Sequence, residues 1–270
     1  MSEILSLPFI QKAIIAGILV GFLGSYYGVF IVQRKMSFMG DGLAHAAFGG
    51  VALGIMLQTE PLWIAVPFTI LVAILITWLK DRTKLGIDTS IGILFAVSVA
   101  LGIIFLTLKR NYTADAFSYL FGSILAVKTT DLWFTVIMTI ITIFTFYKFW
   151  SRWAYATFDA ELARTDRLPV LRDDYILSIL IAVTVVISVK LVGIILIAAF
   201  LVIPAATARL VATTFLRMTV ISIILGILSS LIGLWASFAF DLPSGATIII
   251  IQTIIFLAGV FFQRFAFHSS

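Results

Sequence analysis

Asp41 and His45 stand four residues apart in MSFMGDGLAHAAFGGVALGIML. On a helix that spacing puts both side chains on one face, about 6 Å apart. A carboxylate oxygen and an imidazole nitrogen so placed can hold one divalent cation. Ionisable groups at membrane depth are costly and tend to mark a substrate path. A second reading stands beside this one: Asp41 caps the helix and His45 hydrogen-bonds to a neighbour. Asp241, in FDLPSGA, is a candidate for an outer entrance, and an Asp-x-Pro turn explains it equally well. Asp88 and Asp115 flank apolar stretches and read as solvated, Lys190 reads as snorkelling to an interface, and His268 reads as a surface residue of the tail.

The chain around these groups is unusually apolar. Of 270 residues, 62% are apolar and 11% charged, 24 are Phe, and the mean hydropathy is +1.18. Soluble domains run about 45–50% apolar and about 25% charged. The composition excludes a soluble enzyme, a disordered chain and a disulfide-stapled secreted module. With no Cys, thiolate metal sites, iron–sulfur clusters and cysteine nucleophiles are excluded too.

A membrane helix needs about 20 mostly apolar residues. Stretches free of Asp, Glu, Lys and Arg occupy 13–33, 42–59, 61–79, 89–108, 132–147, 175–189, 191–208, 218–240 and 242–263. They lack the two-residue alternation of a β-barrel, so the fold class is all-α: a polytopic transmembrane helical bundle of 8–9 spans in a single transmembrane domain, 1–270. The ambiguity lies at 175–214, where Lys190 and Pro204 interrupt. The segment reads as two helices with a short outer turn, or as one helix and a broken piece. Segment 113–127 reads as a short helix within the fold. The start, MSEILSLPFIQKAIIAG, shows no basic n-region and no clear cleavage site, so 13–33 is expected as a retained first helix.

Nine crossings with the N-terminus outside put Arg34, Lys35, Lys80, Arg82, Lys84, Arg152, Arg164, Arg167, Arg172, Arg209, Arg217 and Arg264 inside, against Lys109, Arg110, Lys128 and Lys190. The one sizeable polar loop, 151–173, is too short for a catalytic domain. Within it FDAELAR predicts a short helix, with Asp159 as its cap and Pro169 as its end. By its residues alone this is a connecting loop or a docking element. Small residues at Gly42, Ala46, Gly50 and Gly54, and at Gly17/Gly21 and Gly24/Gly28, predict close helix packing.

No nucleotide phosphate loop, no H-E-x-x-H and no G-x-S-x-G occurs, and no basic cluster suggests nucleic acid. The chain is expected not to be an enzyme. An intramembrane enzyme built on Asp41 and His45 would lack a nucleophile or third ligand in any recognisable motif.

RKMSFMGDGLAHAAFGGVALG closely resembles the second-span signature of bacterial ABC-transporter permeases for zinc, manganese and iron. LGIDTSIGILFA (85–96), DAFSYLFGSILAV (115–127), FDAELAR (158–164), LVGIILIAAFLVIPAATARL (191–210) and DLPSGA (241–246) match further signatures in the same order. The zinc-uptake branch resembles it most, through GDGLAH, SYLFG and IPAATAR. There are two departures. Arg167 stands about where relatives commonly carry Gly, and ILFAVSVALG lacks a His that the zinc branch often has in the fourth span.

The resemblance implies a homodimeric permease of the type II importer kind in the bacterial plasma (inner) membrane. It implies two separate ATP-binding subunits on the cytoplasmic side and an extracytoplasmic metal-binding protein. No cofactor is expected to be bound permanently; Zn²⁺ or Mn²⁺ is the cargo, and ATP binds the partner subunit. By position Asp41 and His45 match the metal-path pair, and Phe158, Asp159, Glu161, Leu162 and Ala163 match the segment, about 155–170, that docks onto the ATPase. The alternative is a secondary metal transporter or channel that works without an ATPase.

Overall fold

The computed structural model describes residues 8–83, 85–108, 124 and 127–267; the motif at 115–127, Lys109, Arg110 and His268 lie outside these or at their edge. The described residues form ten helices and no strand. They are α1 (Pro8–Gln33), α2 (Phe38–Met56), α3 (Pro61–Arg82), α4 (Ile87–Leu108), α5 (Thr129–Phe158), α6 (Ala160–Thr165), α7 (Val170–Val192), α8 (Ile194–Val211), α9 (Phe215–Phe240) and α10 (Ser244–Phe267). All but α6 are long and apolar enough to cross a membrane, nine candidates among the described residues. The upper end of the expected span count is thus met.

The segment 175–214 resolves as the first of its two readings. Helices α7 and α8 meet at Gly193, whose φ of 84° lies where side-chain-bearing residues are rarely found. Pro204 does not break α8. A proline removes one intrahelical hydrogen bond, a loss that surrounding protein makes tolerable within a membrane. Helix α5 is longer than its charge-free core of 132–147 and carries Lys148 and Arg152 into its last turns.

The chain divides into two compact units: residues 1–35, 123–143 and 195–270 make one, and 36–122 and 144–194 the other. In the first, α1 packs on α9 and α9 on α10. Val29 and Val32 join Ala205, Ala208 and Met218 in a buried cluster. Gly21 and Gly226 bring two backbones together, a Cβ on Gly21 falling 2.9 Å from the Gly226 carbonyl oxygen. Ser222 donates to the Ser25 carbonyl at 3.0 Å, and the Tyr27 and Thr142 hydroxyls share a bond of 2.9 Å.

In the second unit α2 lies against α3, α4 and α7. Ala47, Phe48, Val51 and Ile55 of α2 bury against Ala65 of α3 and Val186 of α7. The small residues make this possible. A Cβ on Gly50 would sit 2.6 Å from the Ala65 Cα, and a Cβ on Gly54 2.8 Å from the Pro61 Cα. Helix α7 is tied to α3 by the Thr77–Ser178 bond at 2.9 Å and, nearer its start, by Lys80 to Asp174 at 3.3 Å. At its other end Lys190 does not simply snorkel: its Nζ meets the Glu60 carboxylate at 3.3 Å.

The 151–173 loop contains the short helix its residues predict. The Asp159 carboxylate accepts from the Leu162 N–H at 2.8 Å, an N-cap. Pro169 does not end the helix; it stands at the N-cap position of α7, with no side-chain capping bond. The end is a Schellman turn: Leu168 N–H donates to the Ala163 carbonyl and Arg167 N–H to that of Arg164, each at 3.0 Å. The turn places Arg167 at φ 58°, a position glycine fills most easily. The turn therefore keeps its form despite the departure at that position.

Two predictions follow from the backbone. Gly50→Ala lowers stability by about 1–3 kcal/mol, because the Ala65 backbone cannot yield, whereas Gly92→Ala, with nothing within 4 Å of its Cβ, raises it by about 0.5–1 kcal/mol. Thermal unfolding of both variants in one detergent checks the pair. Arg167→Gly relieves the left-handed conformation and raises stability by about 1 kcal/mol, read in the same assay.

Candidate metal path and docking segment

Helix α2 begins at Phe38 with Ser37 at its N-cap position, so Asp41 lies inside the first turn and is not the cap. A carboxylate there still favours the positive end of the helix dipole. His45, one turn on, brings its Nδ1 to 3.0 Å from the Asp41 carbonyl oxygen and 3.4 Å from the Asp41 Oδ1. A carbonyl oxygen only accepts, so Nδ1 carries the proton in this bond. In the neutral ring, Nε2 then holds the free lone pair, the tautomer a metal ligand requires. The Phe95 ring of α4 stands edge-on to the imidazole at 5.1 Å and restricts its rotation.

Both side chains remain partly open, Asp41 at 48% and His45 at 37% exposure. Their neighbours Met39, Gly40, Gly42, Leu43, Ala44, Ala46 and Ala47 are buried. From Met39 to Ala47 the helix thus buries its apolar and small residues and leaves Asp41 and His45 partly open. Among the described residues no cluster of three or more His, Asp or Glu exists, and the side-chain donors brought together here are those of Asp41 and His45. A cation held this way keeps coordination positions for water or for other donors.

The docking candidates split by orientation. Phe158 and Leu162 are large and exposed, at 61% and 49%, and Asp159 and Glu161 are exposed as well. Ala163 faces the other way: it is fully buried against Ala156 and Val170. Helix α6 thus has an anchored side and a free side, and Ala163 belongs to the anchor. Asp241 ends α9 in the left-handed conformation, exposed at φ 53°, while Leu242 N–H returns to the Ser237 carbonyl. The residues there make a helix-ending turn, and Asp241 belongs to the first unit whereas Asp41 and His45 belong to the second.

Two ties that no sequence motif marks hold the candidate docking segment. Arg152 of α5 grips Asp173 of α7 through Nε at 3.1 Å and Nη2 at 2.5 and 2.7 Å. The Tyr155 hydroxyl donates to the Asp166 carboxylate at 2.6 Å. The signal was present in the loop's charges, but opposite charges 21 residues apart declare no pairing until the end of α5 and the start of α7 are brought together.

Residues 6–263 match the profile of the ABC 3 transport family. The manganese transport system membrane protein MntC of Listeria monocytogenes is 36% identical over 97% of this chain and 93% of its own length. The high-affinity zinc uptake system membrane protein ZnuB of Haemophilus influenzae is 38% identical over 92% of this chain and 95% of its own. The structure of PsaBC from Streptococcus pneumoniae in complex with Fab superposes with a TM-score of 0.86 at 34% identity, covering 100% of this chain and 98% of that one. With nine apolar helices among the described residues and these relatives, the chain belongs to the ABC 3 transport family and is a multi-pass transport permease of the bacterial plasma membrane.

Proposed function

We propose that the chain is the membrane-spanning subunit of an ATP-driven importer of a divalent metal, Mn²⁺ or Zn²⁺, and that Asp41 and His45 are its metal-path ligands. The observation that carries this is the half-exposed carboxylate–imidazole pair on one turn of a largely buried span, with Nδ1 engaged and Nε2 left for a metal in the neutral ring. An aspartate oxygen and a histidine nitrogen accept either ion. Relatives named for manganese and for zinc stand at 36% and 38% identity, so both ions belong to the proposal.

Two permease copies pair, an extracytoplasmic binding protein delivers the ion, and separate ATP-binding subunits supply the energy. Those subunits bind the exposed surface made by the end of α5 and by α6, through Phe158, Asp159, Glu161 and Leu162, with Ala163 holding the helix to its own unit. Asp241 serves at the outer entrance as a fixed negative charge that attracts a cation. Release requires a weak site, and two protein donors per chain hold an ion more loosely than the four of a closed structural site.

The test is uptake of radioactive Mn²⁺ and Zn²⁺ into proteoliposomes holding the permease, its ATPase and its binding protein. Uptake depends on ATP, and equal uptake without ATP refutes the reading. Asp41→Asn and His45→Ala each lower uptake by more than the about 10–100-fold that outer-shell metal partners are worth, while the ATPase still co-purifies. Normal uptake by both variants makes the pair structural.

A further inference from the structure

We propose that the Arg152–Asp173 ion pair is the joint through which the docking segment moves the helix that carries Asp41 and His45, with α7 as the lever. The proposal rests on the docking role given above to α6. It adds positioning residues, and a route, that lie outside both the docking surface and the metal path.

The geometry supplies a continuous route within one compact unit. Helix α6 sits between the end of α5 and the start of α7, anchored by Ala163 against Ala156 and Val170. Arg152 and Asp173 fasten those two helices just beyond the anchor, through three hydrogen bonds. The Asp173 side chain is only 3% exposed, and the Arg152 guanidinium lies over the Phe149 ring at 5.3 Å. The next turn of α7 grips α3 through Asp174–Lys80 and Ser178–Thr77. Farther along, Val186 packs into the cluster of Ala47, Phe48, Val51 and Ile55 on α2, immediately after His45. From Asp173 to Val186 the helix runs about 20 Å.

The choice of residue types argues for a transmitting role. The pair is part-buried, with the Arg152 side chain 35% exposed; an ion pair taken partly out of water adds little net stability, and well-packed apolar residues of similar volume often do as well. What a forked guanidinium–carboxylate contact adds is fixed orientation, since two parallel bonds resist sliding and rotation that an apolar contact permits. Two helices joined at their ends, by this ion pair and the Ala156–Ala163–Val170 cluster, need that property to move together. Coupling between distant sites travels through such contiguous, rigid elements.

The experiment uses the complete importer in proteoliposomes and reads two rates, ATP hydrolysis and metal uptake. The double variant Arg152→Met/Asp173→Leu keeps the packing and removes the fork. It is expected to assemble, to hydrolyse ATP near the unsubstituted rate, and to carry about tenfold less metal per ATP. An assembled double variant with an unchanged ratio overturns the proposal. If that variant fails to assemble, Arg152→Lys decides by the same ratio, because it keeps the charge and loses the fork. A Glu161→Ala/Leu162→Ala variant in the same preparation reads docking itself. If it leaves hydrolysis and uptake unchanged, the docking role fails. If it uncouples them while the Arg152 and Asp173 variants do not, the joint alone fails.

Discussion

Hydrocarbon offers no hydrogen-bond partners, and every other feature of this chain answers to that. Each spanning backbone must bond within itself, which makes the spans helices. The next difficulty is that lipid is as apolar as leucine, so helices gain little from merely bringing apolar surfaces together. Association must come from close packing and from a few polar contacts. The glycines of α2 serve the first need, admitting Ala65 and Pro61 of α3 to backbone contact. Hydroxyl bonds such as Thr77–Ser178 and Tyr27–Thr142 serve the second.

The same constraint disposes of most polar side chains locally. Thr69, Thr135, Thr139, Thr207 and Thr253 each donate to the carbonyl four residues back, so their hydroxyls are satisfied without a partner helix. Such residues count as polar in a composition and behave as apolar in the fold. Set against them, Asp41 and His45 are distinctive because their bond to each other leaves capacity over. The carboxylate keeps acceptor positions and the imidazole keeps one nitrogen. Their accessibility, on a helix whose adjacent residues are buried, separates them from the structural polar groups.

Much of the fold was legible in the sequence because charge-free length is a nearly sufficient signal for a span. The limits of that signal are visible in particular residues. It ended the fifth long span at 147, where charges begin, while α5 continues through Lys148 and Arg152 to Phe158, their side chains resting on Phe144 and Phe149. It took Pro204 for an interruption, while the helix tolerates it. In the candidate site, spacing alone placed Asp41 beside His45, but the identity of the cap and the tautomer depend on where Phe38 starts the helix and where the Asp41 carbonyl points. Ala163 was assigned to the docking face by motif position; which way it turns is decided by the packing of Ala156 and Val170. The Arg152–Asp173 tie was illegible because it belongs to tertiary proximity.

The composition of α2 also bears on how the protein is made. At a mean hydropathy of 1.2 it is the least apolar of the nine candidate spans, yet 78% of it is buried; α4, at 2.7, is 17% buried. A segment rich in glycine and alanine and carrying a carboxylate partitions weakly into lipid. Helix α4 is a self-sufficient insert, whereas α2 is retained by neighbours that leave the ribosome after it. Biogenesis must therefore shelter α2 until α3 and α4 arrive. The span that carries Asp41 and His45 is the one whose place in the bilayer is settled by its companions.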